Sequence, residues 1–401
     1  MRPQVIIIGH GSTSRLGIVR SVAALEADIT LIAIVQPRRF LRKLDQSRIF
    51  DCYSKYVSHC YYLWGNDGEG LRKILFDHCL CSGQKAVLIP DCDFAVSWVD
   101  SNMELLSDHF VFPHIYHTAG LVNYWMDKSV QKVLARDVGL NVAQSVTVDV
   151  SVQPATISNK VNYPVFTKAL LSLNGGKQLF RRCDTIQQLQ DQIDKARNIG
   201  VGKLLVEQYL DIEKEYAVVG FSDGQRVVIP GVIEFLQYSQ SHFGVALKGC
   251  IRPVDGMEDL MERFSNFVLR MGFVGVFDID FFYATGKYWF GEMNLRFGGS
   301  GYAATCMGVN LPAMLVRHLL GMQTEKVPER ILSTATFVNE RMALDDWYRN
   351  CITTSDYHQL TQSTDISFVN DPADLRPQRI FNRVWHQFRM RRFIRNVIRH
   401  K

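Results

Sequence analysis

Apolar runs and helical spacing alternate from the first residues. Gln4 to Gly9 holds Val5-Ile6-Ile7-Ile8, a short run of the kind buried on both faces of a parallel sheet, and a helical pattern follows through Ile18, Val22 and Leu25. A second apolar run spans Ile29 to Val35. A third, Ala86 to Ile89, enters Pro90-Asp91-Cys92-Asp93. The pattern predicts an open-sheet α/β domain over residues 1–120, with Asp93 at the carboxyl edge where such sheets bind ligands, as a substrate contact or, more simply, as a helix N-cap. Gly9-His10-Gly11 invites a dinucleotide reading, but Ser14 stands at the third glycine position and Val35-Gln36 offers no acid for a ribose.

Beyond residue 120 the pattern becomes mixed. A helix from Asn123 carries Lys128 and ends at Gly139, with an extended segment from Val142 to Val150. Tyr163 to Lys168 reads as a strand with Lys168 at its end. Ser172 to Lys177 reads as a flexible loop whose Gly175 and Gly176 let backbone amides approach phosphate oxygens. A helix over 185–198 precedes an apolar strand from Lys203 to Leu210. Further strands cover 216–221 and 227–235, and a helix covers 257–271. Lys248 and Arg252, four apart, share one face of an extended segment and are expected to point at phosphate or a substrate carboxylate.

The densest chemistry lies from Val276 to Arg296. Two aromatic and β-branched runs flank Ala284-Thr285-Gly286-Lys287, which predicts a hairpin with Asp280 across from Glu292 and Asp278 across from Asn294. Alternation puts these four and Arg296 on one side. Phe277, Ile279, Phe281, Trp289, Met293 and Leu295 form the core side. Opposed acids on neighbouring strands repel unless a cation intervenes, and two carboxylates with an amide suit Mg2+ or Mn2+ far better than zinc. The expected metal set is Asp280, Glu292 and Asn294, with Asp278 competing with Asp280; the plainer reading is a solvated polar face on an amphipathic hairpin.

Glu292-Met293-Asn294-Leu295-Arg296, with Asp280 before it, resembles the metal-binding strand of the ATP-grasp superfamily, although Leu295 replaces the usual Pro. The Gly-x-Gly opening, the Ile-Pro-x-x-Asp strand end and Gly-Glu-x-Asn-x-Arg look most like its carboxylate–amine ligase branch, which contains D-aspartate ligase. The resemblance covers residues 1 to about 320. It implies a pre-ATP-grasp, Rossmann-like amino-terminal domain (1–120), two α+β subdomains gripping ATP (121–205 with a glycine-rich lid, 206–321 with the metal site) and a carboxyl-terminal extension (322–401). It further implies that Lys128, Lys168 and the 174–177 loop attend the triphosphate. Glu207, Gln208, Tyr209 and Leu210 form the adenine-binding hinge, and Glu215 holds the ribose with Glu213 as competitor. Lys248, Arg252 and Arg296 form the catalytic group, with Arg296 and Gly298-Gly299-Ser300 at the acyl substrate's carboxylate or its new phosphate. The implied reaction is ADP-forming ligation of a small-molecule carboxylate to an amine through an acyl phosphate, with amino-acid transfer to a peptide or envelope precursor as one form. A site of lysines, acids, magnesium and Gly-rich backbone, without a Ser/His or Cys/His pair, suits phosphoryl transfer. The alternative from another class is an ATP-binding module without catalysis.

Bulk properties add bounds. The chain has 401 residues, 47% apolar and 21% charged, as in soluble proteins of more than one domain. No apolar run approaches a membrane span. Nine cysteines, an odd number without a Cys-x-x-Cys pair, argue for reduced thiols and a cytoplasmic protein. Of the net charge of +5, nine Lys/Arg lie between Arg376 and Lys401, leaving the rest at −4. This basic helical tail, interleaved with Phe381, Trp385 and Phe388, suits an anionic membrane surface at the inner face of the membrane, or docking on its own domain with snorkelling arginines. Nucleic acid is the rival surface and is not the expected partner.

Overall fold

The computed structural model describes residues 2–11, 13–35, 49–81, 83–151, 161–171, 176–242, 244–323 and 327–399. The first apolar runs form β1 (Gln4–His10), β2 (Asp28–Val35), β3 (Val57–Trp64), β4 (Ala86–Pro90) and β5 (Phe110–Val111), a parallel sheet in the order β3-β2-β1-β4-β5. The open α/β architecture expected of the amino-terminal region is present. The runs of β1, β2 and β4 are continuous rather than alternating because both faces are covered there: Ile7 and Ile6, which point opposite ways, are 0% and 3% exposed.

A second, antiparallel sheet joins β8 (Ser145–Asp149), β9 (Val165–Ala169), β10 (Arg181–Cys183) and β11 (Lys203–Gln208) in the order β10-β9-β11-β8. The helix Ile186–Asn198, capped by the Thr185 side chain, buries Leu189 and Ile193 in the core of this sheet.

The third sheet is the largest. Its main path runs β19 (Ile366–Ser367), β18 (Ala335–Val338), β15 (Ala246–Arg252), β14 (Val232–Tyr238), β12 (Lys214–Asp223), β16 (Phe273–Ala284), β17 (Lys287–Asn294) and β7 (Asn141–Val142); β13 (Val227–Val228) and β6 (His114–Ile115) pair off it. One face carries Ala217, Val219, Ile233 and Val276, and shares a core with Val5, Ile7 and Ile18 through the helix Leu311–Leu319. The other face carries Val218, Phe277, Ile279 and Phe281, covered by Phe264 and Phe267 of the helix Glu258–Met271.

The β16–β17 hairpin turns at Thr285 and Gly286, whose φ values of 52° and 76° are the left-handed pair that a two-residue twisted turn requires. Such a turn alone would leave Asp280 across from Gly291. A β-bulge between Asp280 and Phe281 shifts the register and brings Glu292 across from Asp280, with Asn294 across from Asp278. Glycine is required at the shift: a Cβ on Gly291 would lie 2.8 Å from the Asp280 carbonyl oxygen and from the Phe282 ring. The bulge also corrects one expectation. Trp289 pairs with Phe282 on the side of the acids instead of joining the core, and Phe290 takes the core position opposite Phe281.

The carboxyl-terminal helix Leu375–Arg399 starts on an anchored segment. Fully buried Asp374 accepts from Ser54 Oγ at 2.8 Å, Lys55 N at 2.9 Å and Arg20 Nε at 3.2 Å. Phe381 and Val384 are buried, and Trp385 stacks on Trp347 with 5.6 Å between ring centroids. The proximal turns are thus docked on their own domain. Farther on, Met390 and Ile394 are 60% and 51% exposed. Among the described residues no helix is long and apolar enough to cross a membrane, and the nine cysteines are free thiols.

Candidate active site

Four carboxylates and three lysines converge where the hairpin, the second sheet and the helix Lys128–Asp137 meet. Asp127 caps that helix through the Ser129 amide, so Lys128 begins its first turn. Lys128 is 5% exposed and its Nζ lies 2.7 Å from Glu292 Oε2. One turn on, Lys132 pairs with Glu207 at the end of β11; Lys168, next to last in β9, holds the other Glu207 oxygen at 2.9 Å. Lys168 Nζ also lies 5.7 Å from the Phe166 ring centre and 6.0 Å from that of Phe282.

The electrostatics follow from burial. Burial alone would raise the Glu207 carboxyl, but Lys168 and Lys132 outweigh it and hold it down at about 2. Burial lowers Lys132 despite Glu207, whereas for Lys168 the carboxylates of Glu207, Glu292 and Asp280 overcome burial and raise it. Glu292 is lowered: burial opposes its charge, and Lys128 chiefly restores it. Asp278 is pushed up to about 6 by burial, with Glu292 adding to the rise and Arg296 opposing it. Asp278 packs so tightly over Gly298 that a Cβ there would meet its Oδ2 at 2.5 Å, which accounts for one glycine of the Gly298-Gly299 pair.

Sequence reasoning located most of this cluster. Asp280, Glu292 and the Glu215 side of β12 share one sheet face, since Ala217 pairs with Asp280 and Glu215 with Phe282. Glu215 and Glu213 have different surroundings: Glu213 accepts from the Thr285 amide at 3.1 Å at the hairpin tip, while Glu215 neighbours the Tyr238 hydroxyl. Gln208, Tyr209 and Leu210 follow β11; the Tyr209 amide donates to Pro164 O at 3.1 Å, and the Arg182 guanidinium sits over the Tyr209 ring at 4.5 Å. Gly175 lies outside the described residues. Gly176 opens a single 3₁₀ turn, Gly176–Leu179.

Lys248 and Arg252 do not share this cleft. β15 is separated from β16 by β14 and β12, and the register Cys250–Glu234–Tyr216–Phe281 puts the even-numbered residues of β15 on the Phe281 face, opposite Asp280. Arg252 lies 3.7 Å from Glu234 and over the Tyr216 ring. Asp93 is also corrected. Cys92, without a side-chain cap bond, occupies the N-cap, and Asp93 instead binds Arg296 Nε at 2.7 Å. Lys132 was missed, although its i+4 spacing from Lys128 signalled a shared helix face. Tyr238 was missed because it reaches the site past two register irregularities in β14.

Two carboxylates side by side, an adjacent amide and clustered lysines form a donor set that fits a hard divalent cation and polyphosphate. Among the described residues no three His, Cys, Asp or Glu side chains are grouped to hold a metal ion by themselves, and Asn294 stands across from Asp278 beside the two acids. Residues 133–310 match the model of the ATP-grasp domain. The chain carries an ATP-grasp domain.

The chain is 26% identical over 200 residues to the carbamoyl phosphate synthase large chain of Gemmatimonas aurantiaca, a match over 49% of this chain and 18% of that one. It thus spans less than a fifth of that curated relative. In fold it resembles N5-carboxyaminoimidazole synthetase from Staphylococcus aureus complexed with ADP, with TM-score 0.60 and 15% identity over 84% of this chain and 82% of that one. L-amino acid ligase from Bacillus licheniformis gives TM-score 0.62 and 16% identity over 84% and 79%. At these identities the likeness is one of fold.

Proposed function

We propose that the protein is an ADP-forming ligase that activates a small-molecule carboxylate as an acyl phosphate and transfers it to an amine. The observation that carries this reading is the convergence of Lys128, Lys132 and Lys168 with Asp280 and Glu292 between the hairpin and the second sheet. Phosphoryl transfer from ATP needs positioning and charge neutralisation more than covalent catalysis. Lys128 and Lys168 would meet the nucleotide phosphates, and Glu207 would hold Lys132 and Lys168 in place by pairing with both. The segment Glu207 to Leu210 would take adenine and Glu215 the ribose. Asp280, Glu292 and Asn294 would hold Mg2+ or Mn2+. When bound, the metal supplies charge neutralisation on the phosphate oxygens. Arg296, tied to Asp93, is the cation available to the acyl side. The ATP-grasp domain match and the two ligase-type structural neighbours support the same reading.

The test is a screen of single amino acids as acids, with MgATP and hydroxylamine. Hydroxylamine should intercept the acyl phosphate, giving a hydroxamate of the true acid with ADP and inorganic phosphate. AMP and pyrophosphate as products would replace this reading with adenylation. Slow ADP release at one rate for every acid would favour a non-catalytic nucleotide module.

A second proposal concerns the tail, whose exposed Met390 and Ile394 lie among arginines. These distal turns would contact an anionic membrane surface. Deletion after Arg389, which spares the docked turns, should weaken sedimentation with phosphatidylserine vesicles; equal sedimentation of both forms refutes it.

A further inference from the structure

The amino-terminal sheet reverses its winding at β1, with β2 and β3 on one side and β4 and β5 on the other. The carboxyl ends of β1 and β4 therefore border the crevice in which open α/β sheets take ligands. Gly9 and Asp91 meet at this point, where a Cβ on Gly9 would lie 3.1 Å from Asp91 Cβ. Asp91 is 8% exposed, and Ser14 Oγ donates to its Oδ1 at 2.8 Å. Its Oδ2 is buried with no hydrogen-bond partner among the described residues.

An unpartnered buried carboxylate oxygen is costly, so the site invites a donor. The neighbouring cations are already engaged. Arg15, fully buried, pairs with Asp51 and the Gly9 carbonyl; Arg296 pairs with Asp93. Burial pushes Asp91 up to about 7, and Ser14, Arg296 and Arg15 offset only part of the rise, so the carboxyl remains short of positive partners. An anion would add repulsion from Asp91, Asp93 and Asp51. A compact cation with N–H donors supplies both the missing bond and the missing charge.

We infer that Asp91 receives the ammonium group of an amine-bearing substrate in the β1/β4 crevice. The inference rests on the ligase reading and assigns the nucleophile's subsite. Arg296, the last residue of the hairpin signature, bonds to Asp93 two residues from Asp91, so an amine seated there lies on the acyl side of the metal-binding hairpin. Asp91 is thus a specificity residue distinct from the lysines that face the nucleotide.

Binding can be read without knowing the substrates. The probes are n-butylammonium, n-butanol and butyrate, followed by ligand-observed NMR on the full chain, wild type and Asp91→Asn, with circular dichroism to verify folding. Butylammonium should bind the wild type and weaken about tenfold or more in Asp91→Asn, as for a lost charge-assisted hydrogen bond, with butyrate unaffected. Equal butylammonium binding by the two proteins overturns the inference, as does its absence in the wild type. Should Asp91→Asn fail to fold, the wild type decides: n-butanol binding as tightly as butylammonium overturns it. Asp91-dependent ammonium binding without hydroxamate formation would refute the ligase reading and leave the crevice assignment standing. Hydroxamate formation with no ammonium binding would do the reverse.

Discussion

Lys128 and Lys168 on one side, and Lys248 and Arg252 on the other, are two pairs of cations with the same expected task and different fates. The first pair lies forty residues apart in sequence yet meets two carboxylates of one cleft, through contacts of 2.7 Å to Glu292 and 2.9 Å to Glu207. The second pair shares one strand and one face, and that face is turned away from the acids by the register across β14 and β12. Spacing within a strand decides which residues travel together. Only strand order decides where they go.

The sharpest way to break the comparison is at Glu292. Glu292→Gln should leave the fold intact, as judged by an unchanged dichroism spectrum, and cut ADP formation by on the order of 10²–10³-fold, the scale of losing one preorganised electrostatic contact. Near wild-type turnover would remove the hairpin from the chemistry. Glu207→Gln should be felt in stability, because it leaves Lys132 and Lys168 buried without their shared carboxylate. About 3–5 kcal/mol should be lost in urea unfolding at pH 7. Because the folded-state value of Glu207 is lowered to about 2 from 4.5, its contribution is fully present above pH 4.5 and fades as pH falls through 2. The gap between wild type and Glu207→Gln should close over that window.

Gly291→Ala sharpens the role of the bulge. The added methyl would meet the Asp280 carbonyl, so a destabilisation of about 1–3 kcal/mol is expected, together with loss of ADP formation as Asp280 and Glu292 fall out of register. A variant with wild-type melting temperature and rate would show that the bulge is not what sets the pairing. The smallest effect belongs to the displaced pair: Lys248→Ala and Arg252→Ala should each leave KM for ATP and kcat within about twofold, as for partly exposed side chains away from the chemistry. A tenfold fall in kcat for either would restore it to the site.

Some of this molecule is decided by its sequence. The parallel strands β1, β2 and β4 are written as continuous apolar runs because both faces of that sheet are covered, and the hairpin itself follows from two runs flanking a glycine-containing turn, although the opposition of Asp280 and Glu292 within it needs the bulge. The Lys128 and Lys132 helix face is likewise local, set by i+4 spacing. Tertiary structure decided the rest. Trp289 left the core because a bulge, invisible as a pattern, reversed the alternation beyond Gly291. Asp93 turned from an N-cap into the partner of Arg296, 203 residues away, since a carboxylate prefers a half-buried guanidinium to a weak local amide contact. The basic tail reads alike whether it meets lipid or protein; Asp374 and Trp385 dock its proximal turns because a complementary surface at Arg20, Ser54 and Trp347 is assembled only by the fold. Periodicity constrains what neighbours along the chain can do, whereas pairing across hundreds of residues depends on strand order and packing, which no local pattern encodes.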